Sequence, residues 1–172
     1  TLTYEGSDEA KLNQWPRHKY LNVWVVKSIA SGAAGYSYLP ASANLNPSID
    51  GIVILYNYVG SIETGDIIRD RALTHEIGHY LNLPHPGGLT NSPGVACGDA
   101  GVADPPITKG WTSCGLTNAD ICNPGIEENV QNFMEYSYCS NMYTQQQKVR
   151  MTATLNSSVA QRNNLWTDAN LI

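Results

Sequence analysis

The chain has 172 residues, 42% of them hydrophobic and 15% charged, and a formal net charge of −5. That length fits one domain, able to bury about 70% of the surface its unfolded form exposes. There is no basic cluster to attract a nucleic acid or an anionic membrane, and no apolar run approaches the roughly 20 residues of a membrane-spanning helix. No signal peptide stands at Thr1.

Residues 1–19 are polar, and 8–13 read as the tail of a helix broken by Trp15-Pro16. His18, between Arg17 and Lys19, reads as a surface residue. Residues 21–29 form an apolar run rich in Val and Trp, the pattern of a buried strand. A flexible turn follows at 31–35, then a short strand at 36–39 ended by Pro40, then a loop over 41–50. Residues 51–59 make the second strong strand, with Ile52, Ile54, Tyr56 and Tyr58 on one face and Val53, Leu55, Asn57 and Val59 on the other.

The spacing of Ile67, Ile68, Leu73, Ile77 and Leu81 predicts a helix over 66–81. On it, His75 and His79 stand four residues apart and so project from one face. Two imidazoles so placed grip one metal ion, which suits zinc, and Glu76 lies beside the ion as a general base towards water. His85 reaches the metal only if the helix ends and the chain folds back. Asn82 tolerates the left-handed turn this needs, and Leu83 before Pro84 favours extended geometry. A bare H-E-x-x-H pattern arises by chance in unrelated helices. The third histidine, the break that delivers it and the single histidine found elsewhere favour a metal site.

From Pro86 to Gly125, Gly, Pro, Asn, Asp and Cys dominate, a composition that builds no conventional core. Cys97, Cys114, Cys122 and Cys139 contain no C-x-x-C pair. They read as two disulfides formed in an oxidising compartment, with three pairings open. Asp99 and Asp104 sit in a glycine-bearing loop and are calcium candidates, against the alternative of solvated loop acids. Residues 144–155 carry Val149, Met151 and Leu155 at helical spacing and predict a C-terminal helix.

The run His75-Glu76-x-x-His79-x-x-Asn82-x-x-His85 resembles the extended zinc motif of the metzincin metallopeptidases, with Asn82 where that motif has glycine. Asn132-Phe133-Met134-Glu135-Tyr136 resembles their Met-turn. Stretches at 20–26, 35–40, 50–54 and 101–106 are similar to the pappalysin family within the metzincins, and the likeness runs from about 20 to 151. It implies an α+β zincin fold: a mixed twisted sheet and the zinc helix in an upper subdomain, about 1–85. Below these would lie an irregular, disulfide-bonded lower subdomain, about 86–172, with a C-terminal helix. Such a domain ordinarily has a strand and a long helix before the strand at 21–29. Only residues 1–19 precede it here, so a shortened upper subdomain is expected.

The resemblance also implies the bridges Cys97–Cys122 and Cys114–Cys139, each worth about 3 kcal/mol in the chain-entropy model. It makes Met134 a packed floor under the histidines, and the strand at 36–39 an edge running antiparallel to an extended peptide substrate. An ordinary edge strand is the alternative. Tyr136 would bind the metal at rest or donate to the oxyanion, unless it is a core tyrosine. An aspartate that attracts basic side chains in some relatives is missing between Met134 and Cys139, and Glu135 could replace it only by turning into the pocket.

The expectation is a secreted or periplasmic zinc endopeptidase, a monomer that acts on peptides or proteins. The alternatives are a non-catalytic binding module of the same fold and a zinc amidase acting on a non-protein amide.

Overall fold

The computed structural model describes residues 6–63, 65, 66, 68–88, 94, 96–115 and 119–171. Ile67, part of the helical pattern, lies outside them. The chain divides into two compact units, Thr1–Asn82 with Thr152–Ile172, and Leu83–Met151.

The first unit holds a three-stranded mixed sheet in the order β1-β3-β2. β1 (Val23–Val26) runs parallel to β3 (Ile52–Leu55), and β2 (Gly35–Ser37) runs antiparallel to it. Three β-branched residues make β3 the centre, because Ile52, Val53 and Ile54 are each 0% exposed. Burying each such side chain contributes about 2 kcal/mol. β1 was expected to be buried and is not: Val23 and Val25 are 39% and 55% exposed. The strand order puts β1 at an edge, a position its apolar composition does not reveal.

Pro40 does not end a strand before a loop. It opens a short helix, α1 (Pro40–Leu45), whose first position suits its fixed φ. Asn46 follows, and its side chain accepts from the Ser48 N–H to start a second turn, Pro47–Ile49. The strong strand also stops early, at Leu55, where Tyr56–Tyr58 turn into a 3-10 helix.

The metal-motif helix, α2 (Ala72–Tyr80), begins six residues later than its periodicity suggests. The Asp66 carboxylate accepts from the N–H groups of Ile68 and Arg69 at 2.8 and 2.9 Å, capping a separate turn ahead of it. α2 packs against β2 and β3.

On the opposite face of the sheet, Trp24, Val53 and Tyr36 stand side by side in register. The Asp8 carboxylate accepts from the hydroxyls of Tyr36 and Tyr38 at 3.2 and 2.8 Å and pairs with Lys11 at 3.0 Å. The Lys11 ammonium lies 5.1 Å from each tyrosine ring, so residues 8–11 strap this face of β2.

Behind α2, Arg162 is 0% exposed and grips the equally buried Asp50 with two hydrogen bonds, at 2.9 and 2.7 Å. Its Nε donates to the Tyr80 carbonyl, the last of α2, and its guanidinium stacks 3.5 Å from the Tyr80 ring centroid.

In the second unit, disulfides join Cys97 to Cys122 and Cys114 to Cys139. Glu128 organises the loops around them, accepting from Thr108 Oγ1, the Lys109 N–H, the Trp111 indole and the Cys122 N–H. Buried Asn132 and Gln147 exchange side-chain hydrogen bonds at 2.9 and 3.1 Å, joining the turn at 132–135 to α3 (Gln145–Leu155). The first unit also holds a short helix, α4 (Asp168–Leu171). Among the described residues no helix is long and apolar enough to cross a membrane.

Replacing Asp50 with Ala leaves a buried guanidinium without its counter-charge and is expected to cost about 3–5 kcal/mol. Urea unfolding of Asp50→Ala beside the wild type measures it, and a loss below about 1 kcal/mol would show that the pair does not hold the unit together.

Candidate active site

α2 presents His75 and His79 on one face, their ring centroids 4.8 Å apart and nearly perpendicular. The helix stops where the Leu81 N–H bonds the Ile77 and Gly78 carbonyls and the Asn82 N–H bonds His79. Asn82 then takes the left-handed conformation, with φ 74°. That turn redirects the chain through Leu83 and Pro84 to His85. One nitrogen from each of His75, His79 and His85 lies within 4.8 Å of the other two. His75 is buried and the other two are half-buried.

The residues fit a zinc ion. Three imidazoles supply the nitrogen donors zinc prefers and leave one tetrahedral position for a reactant. An independent sign comes from Glu76, 6% exposed, whose Oε2 is buried with no hydrogen-bond partner. Burial pushes its carboxyl up to about 8, opposed by a hydrogen bond from the Ser37 backbone of β2. A carboxylate held at one oxygen and bare at the other is suited to exchanging a proton with a group beside it.

The Met-turn motif forms a tight turn in the second unit. The Asn132 side chain accepts from the Met134 N–H at 2.9 Å, and its carbonyl accepts from the Glu135 N–H at 3.0 Å. Met134 is 0% exposed. Tyr136 is 42% exposed, so it is not a core side chain, and its ring lies 4.7 Å from that of His85. A small depression here is lined by His85, Lys109, Gly110, Met134, Glu135 and Tyr136.

Glu135 borders that depression but is 4% exposed, and its carboxylate accepts from the Trp111 N–H at 2.7 Å and from Thr108. Burial raises it to about 7. Glu128, satisfied by four donors, is instead held below the ordinary carboxylate value, although burial opposes this.

The calcium candidates lie elsewhere. Both oxygens of Asp104 bind the start of α3, from Thr144 Oγ1 at 2.6 Å and the Gln146 N–H at 2.8 Å. Asp99 accepts from the Gly101 N–H. Among the described residues, neither aspartate falls in a group of three or more side chains placed to share an ion. His18 is exposed. Sequence reasoning missed Ser37, Asp50 and Arg162. Arg162 sits in the polar run Gln-Arg-Asn-Asn, which reads as surface, and nothing in the sequence marks it as buried.

A β-branched residue at φ 74° is strained, whereas glycine is not. Asn82→Val is therefore expected to be about 1–2 kcal/mol less stable than Asn82→Gly and to bind zinc more weakly than it. Zinc titration and thermal melting of the two variants check this.

The pH prediction follows from the sign of the Glu135 shift. A carboxyl raised in the folded state binds its proton more tightly there, so it stabilises at low pH. That contribution fades as pH rises from about 4.5 to about 7. Glu135→Gln should remove this loss, worth up to about 3 kcal/mol, from urea unfolding compared between about pH 5 and pH 7.5. Equal pH slopes for the two proteins would refute it.

The family model Peptidase M43, described as pregnancy-associated plasma protein-A, matches residues 5–156. An extracellular metalloprotease of Arthroderma benhamiae is 32% identical over 157 residues, 85% of this chain and 55% of that protein. One from Neurospora crassa is 32% identical over 148 residues, 81% and 49% of the two chains. Among solved structures, Tannerella forsythia mature mirolysin in complex with a cleaved peptide superposes with a TM-score of 0.82 at 28% identity. That match covers 95% of this chain and 64% of mirolysin. The chain therefore spans about half the length of these curated relatives.

Proposed function

The chain belongs to the peptidase M43, or pappalysin, family, and on that premise we propose that it is the catalytic domain of an extracellular zinc endopeptidase. The observation that carries the proposal is the pairing of a three-histidine cluster with a buried carboxylate, on the next residue of the same helix, that has one oxygen unpartnered. A purely structural zinc site uses four protein ligands, and this donor set has three. Zinc would supply Lewis acidity towards a peptide carbonyl and a position at which water becomes acidic near neutral pH.

The remaining steps fall to the chain's own groups. Glu76 takes the proton of the attacking water at Oε2 and returns it to the leaving amine. The Ser37 N–H holds the carboxylate by hydrogen bonding, so it does not have to reorganise between the two transfers. Tyr136, beside His85, donates to the developing oxyanion. The free edge of β2 pairs with an extended peptide backbone, since β3 occupies its other edge. The mirolysin neighbour, solved with a cleaved peptide, supports a peptide as the substrate here. Relatives named as extracellular support the location, in keeping with two disulfides. No step in this scheme calls on calcium at Asp99 or Asp104.

Mass spectrometry of a mixed peptide library tests the reading. Glu76→Ala or a zinc chelator is expected to lower cleavage by at least about a hundredfold. A wild type that binds one zinc and cuts no peptide would overturn it.

A further inference from the structure

Gly35 lies in β2 at an ordinary strand conformation, since its φ is not among the positive values. At the start of β2 any residue could adopt this conformation and would pack more than glycine does, so backbone conformation does not account for it here. Space does. A Cβ built on Gly35 would stand 3.2 Å from Glu76 Cγ and 3.3 Å from Glu76 Oε1. It would also lie 3.0 Å from the Val53 carbonyl oxygen in the neighbouring strand. All three distances are tighter than about nine in ten real Cβ contacts, so a neighbour would have to give way by a few tenths of an ångström. Two residues on, the Ser37 backbone donates to the same carboxylate. At Gly35, therefore, β2 brings no side chain between its backbone and the Glu76 side chain.

We infer that Gly35 is a positioning residue for Glu76: its missing side chain is the space that sets where the general base stands. The inference rests on the role proposed for Glu76. Because β2 is strapped from its other face by Asp8 and Lys11, it has little freedom to retreat from an added methyl group. The acid has to move instead, by a few tenths of an ångström, off its Ser37 donor.

Two readouts test it. In peptide cleavage, Gly35→Ala should lower kcat about tenfold or more with KM and zinc content within about twofold of wild type, as a misplaced general base does. A raised KM with kcat unchanged would mean that peptide pairing along β2 was disturbed, and would overturn the inference. The second readout needs no activity. In a double-mutant cycle on Tm, the loss caused by Gly35→Ala should largely disappear in a Glu76→Ala background, where the methyl group has room. Additive losses would place the clash at Val53 and overturn the inference, whether or not the wild type cleaves. If Gly35→Ala fails to fold, folding of the double variant supports the inference, and failure of both overturns it.

Discussion

A buried charge tolerates almost no freedom in its surroundings, and the first unit is arranged around one such pair. The Asp50 carboxylate, just ahead of β3, and the Arg162 guanidinium, near the C-terminal end of the chain, satisfy each other away from water. Arg162 also bonds the last carbonyl of α2 and stacks on its Tyr80 ring. One side chain therefore fixes the central strand and the helix of the metal motif to each other. Ion pairs of this kind add little net stability over a hydrophobic isostere, but separating them leaves a buried charge uncompensated. A helix that must hold two imidazoles in register benefits from a tie that is costly to break.

The sheet contributes on both faces. On one, β3 buries its β-branched side chains and β2 offers bare backbone to Glu76. On the other, Tyr36 of β2 and Tyr38 just after it are tied down by Asp8 and Lys11. A carboxylate bonded to the backbone of a strapped strand stays in place unless something pushes it off that donor. The second unit solves a different problem. With no helix or named strand among its described residues before α3, it satisfies its loops with a few buried acceptors, chiefly Glu128 and the Asn132–Gln147 exchange.

What could be read from the residues is what local chemistry dictates. Four-residue spacing puts His75 and His79 on one helix face, while the α+β fold comes from the resemblance to the pappalysin family and not from the apolar runs themselves. Boundaries were less legible, because side chains intervene. Asp66 caps its own turn and delays α2, and Pro40 starts a helix that a strand-ending proline would not suggest. The exposure of β1 was hidden because Val and Trp look alike at the edge and the centre of a sheet. Arg162 and Asp50 were hidden because partners 112 residues apart leave no local pattern. The Gly35 contact was hidden for a related reason, since a missing side chain signals its purpose only once its neighbour is known.

The two disulfides have a further property that comes from their order along the chain. Cys97, Cys114, Cys122 and Cys139 pair first to third and second to fourth, so the two rings overlap between 114 and 122. A single backbone cut anywhere from 97 to 139 falls inside at least one ring. After any one such cut the two fragments stay covalently joined, held by one bridge or by both. For a protein proposed to work outside the cell among enzymes that cut chains, itself included, this is a form of redundancy. Among the described residues the stretch from 97 to 139 holds no helix or named strand, and it is there that a first nick does not separate the chain.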